Sequence, residues 1–98
     1  MLIRIVRMNF QKEKVSEFLK LFSQSKNMIR NFPGCRCLEL HIDQEKENIF
    51  STYSIWDSEE ALDNYRKSDL FKGIWSETKL LFDKHPVAIS SRLVEKVD

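Results

Sequence analysis

Three side chains that can bind a metal or transfer a proton alternate along one predicted strand, namely Cys37, Glu39 and His41. Alternate positions of a strand project from the same face, so this thiol, carboxyl group and imidazole lie together. Thiolate and imidazole suit zinc or copper, and an imidazole can act as a general base near neutral pH. Because no second cluster completes a ligand set, we predict no metal site and interpret His41 as a solvated or interface residue.

A second group of candidates is aromatic. Trp56 stands where a predicted strand ends and a helix begins, and Tyr65, Phe71 and Trp75 follow in the helical region. Large rings stack on flat aromatic ligands, whereas aromatic residues at helical spacing are also typical of a core. Two interpretations stay open: these rings form a box around a ligand, or they close and fill the interior.

Four further polar or reactive residues have predicted roles. Asn9 follows the first strand and either orients a substrate oxygen or supports the turn into the first helix. Cys35 is expected to be a buried, reduced thiol. His85 precedes a proline and is predicted to face the C-terminal end of a helix. Arg92 is predicted to lie within a strand and to pair with Glu39.

The elements that position these residues follow a βαββαβ order. Hydrophobic periodicity predicts strands at Leu2–Met8, Cys35–Asp43, Asn48–Trp56 and Val87–Val97, and a helix at Lys12–Asn31. Asp57 is predicted to cap a second helix, with Glu60 completing a capping box, and Asp69 to cap a third. This order predicts an α+β, ferredoxin-like fold, with an antiparallel four-stranded sheet covered by helices on one face.

The other face of this sheet is expected to be apolar. It would carry Ile3 and Ile5, or the opposite row of that strand, together with Tyr53, Ile55, Ile89 and Leu93. Apolar patches of this size usually mark an interface. We therefore predict a homodimer that forms through the sheet face.

Composition narrows the classes of function. The 98 residues predict a single domain spanning residues 1–98. Sixteen basic and 15 acidic residues are interspersed, for a net charge of +1, which argues against a nucleic-acid partner. Arg4 and Arg7 interrupt the first apolar stretch and no apolar run is long enough to span a bilayer, so we predict a cytoplasmic protein without membrane contact.

Three segments carry a resemblance to a known family: Phe32–Cys35, Tyr53–Ala61 and Ser68–Lys72. In this order and spacing the chain resembles, over nearly its whole length, the antibiotic biosynthesis monooxygenase family of dimeric α+β barrel proteins. That family includes cofactor-free monooxygenases that oxidise polycyclic phenols or quinols with molecular oxygen. It also includes haem-degrading enzymes, an isomerase-like member and members with no known activity.

The resemblance implies site residues only in part. The tryptophan at the end of the third strand is retained as Trp56. Polyketide-oxidising members have an asparagine four residues before it, where this chain has Thr52, and a tyrosine six residues after it, where this chain has Leu62. Tyr65 lies one helical turn further and is the candidate substitute for that tyrosine.

The family's other chemistries depend on residues that this chain replaces. Haem-degrading members hold iron with a histidine at the position of Trp75, and their asparagine in the first strand falls at about Val6. Quinol-oxidising members commonly carry a histidine at the position of Leu70. An indole cannot ligate iron, so we expect no haem.

The sequence thus predicts a cofactor-independent monooxygenase acting on a small aromatic or quinol-like molecule. Trp56, Tyr65 and Asn9 are its predicted catalytic residues, and the predicted substrate-binding residues are Thr52, Phe71 and Trp75. The alternative is a non-catalytic dimeric module of the same fold that binds a small ligand or a protein.

Overall fold

The computed structural model describes residues 1–98 and shows four strands and three helices. The strands are β1 (Leu2–Phe10), β2 (Cys35–Ile42), β3 (Ile49–Trp56) and β4 (Phe82–Arg92). The helices are α1 (Val15–Arg30), α2 (Glu59–Lys67) and α3 (Asp69–Thr78). Single turns of 3₁₀ helix precede α1 and follow α3, at Lys12–Lys14 and Lys79–Leu81. None of the helices combines the length and apolar character that a membrane crossing needs.

The strands form one antiparallel sheet in the order β2-β3-β1-β4. In the centre of the sheet, Ile5 of β1 lies opposite Tyr53 of β3 on one side and Ile89 of β4 on the other. The helices pack against one face, here called the inner face, and leave the outer face uncovered. This arrangement confirms the predicted ferredoxin-like α+β fold.

The junction after α1 depends on a glycine. The helix ends at Arg30, and Gly34 then adopts a positive φ of 90°, which glycine adopts at little cost. A Cβ atom on Gly34 would lie 2.5 Å from the Cβ of Ala61 in α2. Gly34 therefore lets the start of β2 approach α2 closely.

The helix caps differ by one residue from the prediction. Ser58, not Asp57, caps α2, because its backbone is extended and its Oγ accepts a hydrogen bond from the Ala61 amide at 3.1 Å. Asp57 instead accepts two hydrogen bonds from Arg36, at 2.6 and 3.0 Å. In the same way Ser68, not Asp69, caps α3.

The last strand begins earlier than predicted. β4 starts at Phe82, so His85 lies within a strand and is not the predicted partner of a helix end. Pro86 is tolerated because β4 is an edge strand and its pairing with β1 shifts register between Arg7 and Asn9. Arg92 is the exposed last residue of β4. Because β3 and β1 lie between β4 and β2, Arg92 cannot reach Glu39 of β2, and the predicted Arg92–Glu39 pair is wrong.

The interior between the sheet and the helices contains two apolar clusters. The phenylalanine cluster consists of Met8, Phe10, Phe18, Phe50 and Leu81. The tryptophan cluster consists of Ile29, Cys35, Trp56, Leu62 and Tyr65. Both clusters consist of inward-facing strand residues and of residues on one side of the helices. This follows from the side-chain period of 2 residues in a strand and 3.6 residues in a helix.

The outer face carries the row that contains Ile3 and Ile5. Leu2, Val6 and Met8 belong to the opposite row, because they pack into or against the two interior clusters. Leu93 lies just beyond the end of β4, so it extends the apolar surface at one corner. The homodimer stays a prediction, since the structure contains one chain.

Candidate functional site

A cavity of about 380 Å³ lies between the two interior clusters. Thirteen of the 19 residues that line it are hydrophobic, and they come from both clusters and from all three helices. The cavity is open beside β4, where Ala88 is exposed. Its volume is within the range of about 300–1,000 Å³ that is usual for small-molecule sites.

Trp56 forms a fixed wall of this cavity. Its side chain is 1% exposed, and its indole N–H donates a hydrogen bond of 3.0 Å to the Ser54 hydroxyl. One face of the indole stacks on Tyr65, with ring centroids 4.9 Å apart. Trp56 therefore closes the fold and lines the cavity at the same time.

Tyr65, which carries a hydroxyl group, also lines the cavity. Its ring is held by edge-to-face contacts with Phe32 and Phe71, at centroid distances of 5.3 and 5.2 Å. Burial raises the pKa of the Tyr65 hydroxyl well above its usual range, and the nearby Cys35 thiol raises it further. Tyr65 is thus a hydrogen-bond donor at neutral pH and not a base.

The third helix supplies a second aromatic pair. Phe71 and Trp75 lie one turn apart in α3 and stack with an interplanar angle of 12° and centroids 5.8 Å apart. Both rings line the cavity and both are only partly buried. Together with Trp56 and Tyr65 they offer flat apolar surface on two sides of the cavity.

Thr52 is the polar residue that the inner face of β3 adds to the cavity. It lies opposite Val6 of β1 and Leu40 of β2, in the middle of the sheet. The cavity's other small hydroxyl groups are already engaged, since Ser54 accepts from Trp56 and Thr78 donates to the Ile74 carbonyl at 2.7 Å. Thr52 and Tyr65 are therefore the hydroxyl groups that can serve a ligand.

Asn9 does not join the other predicted site residues. It belongs to the outward row of β1 and borders a polar surface cleft that also contains Lys12, Lys46 and Lys84. Its side-chain oxygen accepts a hydrogen bond of 3.2 Å from Asn48. The structure thus brings five of the six predicted residues to one cavity and leaves Asn9 outside it.

Two arginines that sequence reasoning missed also line the cavity. Arg4 lies in the inward row of β1 between Leu2 and Val6, and its Nη1 donates a hydrogen bond of 2.9 Å to the Ser90 hydroxyl. Arg66 follows Tyr65 in α2 and lies four residues after Leu62, on the same side of the helix. The sequence contains a signal that could have identified Arg4, namely a charged residue inside an otherwise apolar row of a strand.

The lining contains no aspartate, glutamate, histidine or cysteine. Arg4 and Arg66 are its only charged side chains, and burial lowers the pKa of the Arg4 guanidinium, with a further lowering from the charge of Arg66. The cavity can therefore stabilise a negative charge and donate hydrogen bonds, but it supplies no general base.

The predicted thiol, carboxyl and imidazole group lies on the outer face, away from the cavity. His41 Nε2 is 2.8 Å from a Glu39 oxygen, and the Cys37 thiol donates to the other Glu39 oxygen at 3.8 Å. Burial and the Glu39 charge both raise the pKa of Cys37, so its thiol stays protonated. No three such side chains in the protein are placed to hold a metal ion.

Comparison with known proteins extends these observations. A family model described as antibiotic biosynthesis monooxygenase matches residues 1–74. No curated protein matches the sequence. A solved antibiotic biosynthesis monooxygenase is similar in structure, with a TM-score of 0.91 and 20% identity over 97% of this chain and 100% of that one.

Two other solved structures have the same fold. A conserved protein from Methanosarcina mazei Go1 is 27% identical and has a TM-score of 0.88, over 94% of this chain and 92% of its own. Rv0793 from Mycobacterium tuberculosis is 16% identical and has a TM-score of 0.89, over 99% and 98% of the two chains.

Proposed function

The chain belongs to the antibiotic biosynthesis monooxygenase family, and we propose that it oxygenates a small aromatic or quinol-like molecule without a cofactor. The reaction would take place in the cavity between the two interior clusters. The observation that carries this proposal is the cavity's lining, in which flat aromatic walls are combined with two hydroxyl donors and two cationic side chains.

In this type of reaction the substrate itself supplies the electrons. The substrate anion transfers one electron to O₂, and the resulting radical and superoxide combine at a ring carbon to form a peroxide. The proton lost on ionisation returns to the peroxide, which then loses water. The attacked carbon, a CH₂ in an anthrone or a ring CH in a phenol or quinol, thereby becomes a carbonyl. One oxygen atom stays in the product and the other leaves as water, so no external reductant is required.

The protein's part is to hold and polarise the substrate. Trp56, Phe71 and Trp75 would contact the faces and edges of its rings, since offset and edge-to-face contacts stabilise aromatic pairs. The hydroxyl groups of Tyr65 and Thr52 would donate hydrogen bonds to its oxygen atoms. Preorganised donors of this kind stabilise charge that develops during reaction.

The absence of a base in the lining restricts the substrate. Tyr65 stays protonated because its pKa is raised, and no carboxylate, imidazole or thiol lines the cavity. The substrate must therefore ionise readily by itself, as activated phenols, quinols and anthrones do, with the two guanidinium groups favouring its anionic form.

Oxygen consumption with a panel of hydroquinones and anthrones tests this proposal. We expect the wild type to consume oxygen faster than the buffer blank and Tyr65→Phe to be slowed by roughly tenfold, the loss that one hydrogen bond implies. Tyr53→Phe, on the outer face, is the matched control and should be unaffected. A wild type no faster than Trp56→Ala or than the blank would refute the proposal.

A non-catalytic binding module of the same fold is the alternative. It is favoured by Leu62, which lines the cavity at the position where the resemblance places a reactive tyrosine. Binding of aromatic ligands without oxygen consumption across the whole panel would support this alternative.

We also propose that the protein is a homodimer joined through the outer face of its sheet. Val87 and Ile89 of β4 are each 55% exposed there, beside the apolar side chains of β1. Light scattering should give a dimer for the wild type and a monomer for Ile89→Asp. Leu80→Asp, at a residue that is 71% exposed outside the sheet, should stay dimeric. A monomeric wild type would refute the proposal.

A further inference from the structure

We propose that Arg4 and Arg66 form an anion-recognising end of the cavity and that they select a flat aromatic ligand carrying an anionic oxygen group. The ring of such a ligand would lie against Trp56, Phe71 and Trp75, and its charged oxygen would face the two guanidinium groups. The shared chemistry is that of an aromatic carboxylate, a phenolate or an enolate.

Arg4 occupies a position where a sheet normally buries an apolar side chain. It faces inward from the central strand β1, next to Trp56 and Thr52 in the lining of the cavity. Its side chain donates to a neutral hydroxyl, that of Ser90, and it takes part in no salt bridge with a carboxylate. A partly buried guanidinium with a neutral partner retains donors for an anionic ligand.

Arg66 lies at the mouth of the cavity. It lines both the cavity and a neighbouring surface cleft, here called the outer cleft. Leu62 is the one other residue that the cavity and the outer cleft share. Its nearest carboxylate is Asp63, one turn away on α2, at 3.9 Å. That contact is half-exposed and long for a hydrogen bond, so it leaves the Arg66 guanidinium available to a ligand.

The charges around this end favour an anion inside the cavity. The outer cleft holds carboxylates of Asp57, Glu59 and Asp63 as well as Arg92, so its charge is mixed. The cavity itself contains the two arginines and no acidic residue. Burial lowers the pKa of the Arg4 guanidinium and the charge of Arg66 lowers it further, so an anion placed beside Arg4 would offset both effects.

This charge distribution orients the ligand. Arg4 contacts Ser90 of β4 and Arg66 borders the surface, so both lie towards the open side of the cavity. An amphipathic ligand would place its charge there and its ring between the aromatic walls. The substrate class proposed here rests on the proposed oxygenation, whereas the anion site is tested by binding alone.

The test measures dissociation constants of two matched bicyclic probes, 2-naphthoate and the neutral 2-naphthalenemethanol. Wild-type protein should bind the carboxylate more tightly than the alcohol. Arg4→Met and Arg66→Met should each weaken the binding of 2-naphthoate by about ten- to a hundredfold, the loss expected for a charge-assisted hydrogen bond. Each should change the affinity for the alcohol by less than about threefold. Arg4→Lys should restore most of the carboxylate affinity.

Arg92→Met is the matched control, because Arg92 lines the outer cleft and not the cavity. It should leave both affinities unchanged. Ionised 4-nitrophenol tests which kind of anion the site binds. If the Arg4→Met substitution weakens its binding as well, the site accepts phenolates. If the substitution weakens the binding of 2-naphthoate only, the site is specific for carboxylates. Unchanged binding of the alcohol in each variant shows that the fold and cavity are intact.

Equal affinity of the wild type for the two naphthalene probes, or 2-naphthoate binding that Arg4→Met and Arg66→Met leave unchanged, would overturn the anion site. Either result would leave the proposed oxygenation standing. Arginine-dependent binding without oxygen consumption would instead refute the oxygenation and support the anion site.

Discussion

The phenylalanine cluster and the tryptophan cluster pack on the same face of one sheet but differ in what they contain. In the first, Phe10 is fully buried and stacks on Phe18 with centroids 4.1 Å apart, and all five members are apolar. In the second, Trp56 and Tyr65 bring an indole N–H and a phenolic hydroxyl, and a charged residue, Arg4, lies beside them along the cavity.

This difference separates stability from recognition. A cluster without polar atoms gains only from burial and close packing, so its residues are expected to set stability. The tryptophan cluster instead lies beside Arg4 and Arg66 in the lining of the cavity, and the fold uses only part of the donors of these two guanidinium groups. Substitutions at the two ends should therefore have effects of different kinds.

The largest effect is expected at Phe10. Phe10→Ala removes the ring at the centre of the phenylalanine cluster and should lower the free energy of unfolding by about 3–5 kcal/mol. Leu80→Ala, at an exposed position, should change it by less than about 0.5 kcal/mol. Denaturant unfolding at one fixed protein concentration measures both. A Phe10→Ala loss no larger than that of Leu80→Ala would contradict the structural role of this cluster.

The two glycines offer the next comparison. Gly34→Ala forces a positive φ on alanine and brings its Cβ against Ala61, so the docking of α2 on the tryptophan cluster should weaken by about 1–3 kcal/mol. Gly73→Ala meets open space in α3 and should stabilise the protein by about 0.5–1 kcal/mol. Thermal unfolding of both variants decides this, and effects of the same sign would be inconsistent with the close approach at Gly34.

Tyr65 makes the tryptophan cluster sensitive to high pH. Its pKa is raised in the folded state, so the unfolded chain loses the phenolic proton first as the pH rises. The stability that the neutral hydroxyl contributes is fully present below the ordinary tyrosine pKa of 10.0 and is lost as the pH rises above it. Denaturation midpoints should fall more steeply above that pH for the wild type than for Tyr65→Phe. Parallel pH profiles would contradict the burial of this hydroxyl.

The smallest effect is expected at the surface, where Arg36 binds Asp57. The hydrogen bonds from Arg36 lower the pKa of Asp57, and the charge of Arg36 adds to this. The pair therefore stabilises the fold above the ordinary aspartate pKa of 3.8, and this contribution is lost as the pH falls below it. Asp57→Asn should therefore reduce stability at neutral pH slightly and flatten the acid limb of the unfolding profile. An acid limb as steep as that of the wild type would exclude this contribution.

The first three strands and the fold class could be predicted because their hydrophobic periods are regular. β4 was placed about five residues too late because Leu80, Leu81 and Phe82 continue the apolar pattern of α3, and no glycine or proline marks its end at Thr78. Pro86 then resembled a helix stop, whereas it lies at an irregular position of an edge strand.

The candidate site could be predicted in part for a similar reason. Trp56, Tyr65, Phe71, Trp75 and Thr52 all line one cavity, and their helical and strand spacing places them on the inner side. Asn9 shares the outward row of Ile3 and Ile5, so the alternation of β1 directs it away from the cavity. Arg4 was missed because it was interpreted, together with Arg7, only as an interruption of the first apolar stretch.

The cavity between the two clusters is the centre of this account, and Thr52 lies in the middle of its sheet wall. The most direct test is the dissociation constant of 2-naphthoate for Thr52→Phe, which fills the cavity, beside Thr52→Val, which keeps its volume. We predict that Thr52→Val, which loses one hydroxyl donor, binds at most about tenfold more weakly than the wild type and that Thr52→Phe binds at least about tenfold more weakly than Thr52→Val. Wild-type affinity in Thr52→Phe would show that aromatic ligands bind elsewhere and would contradict the account.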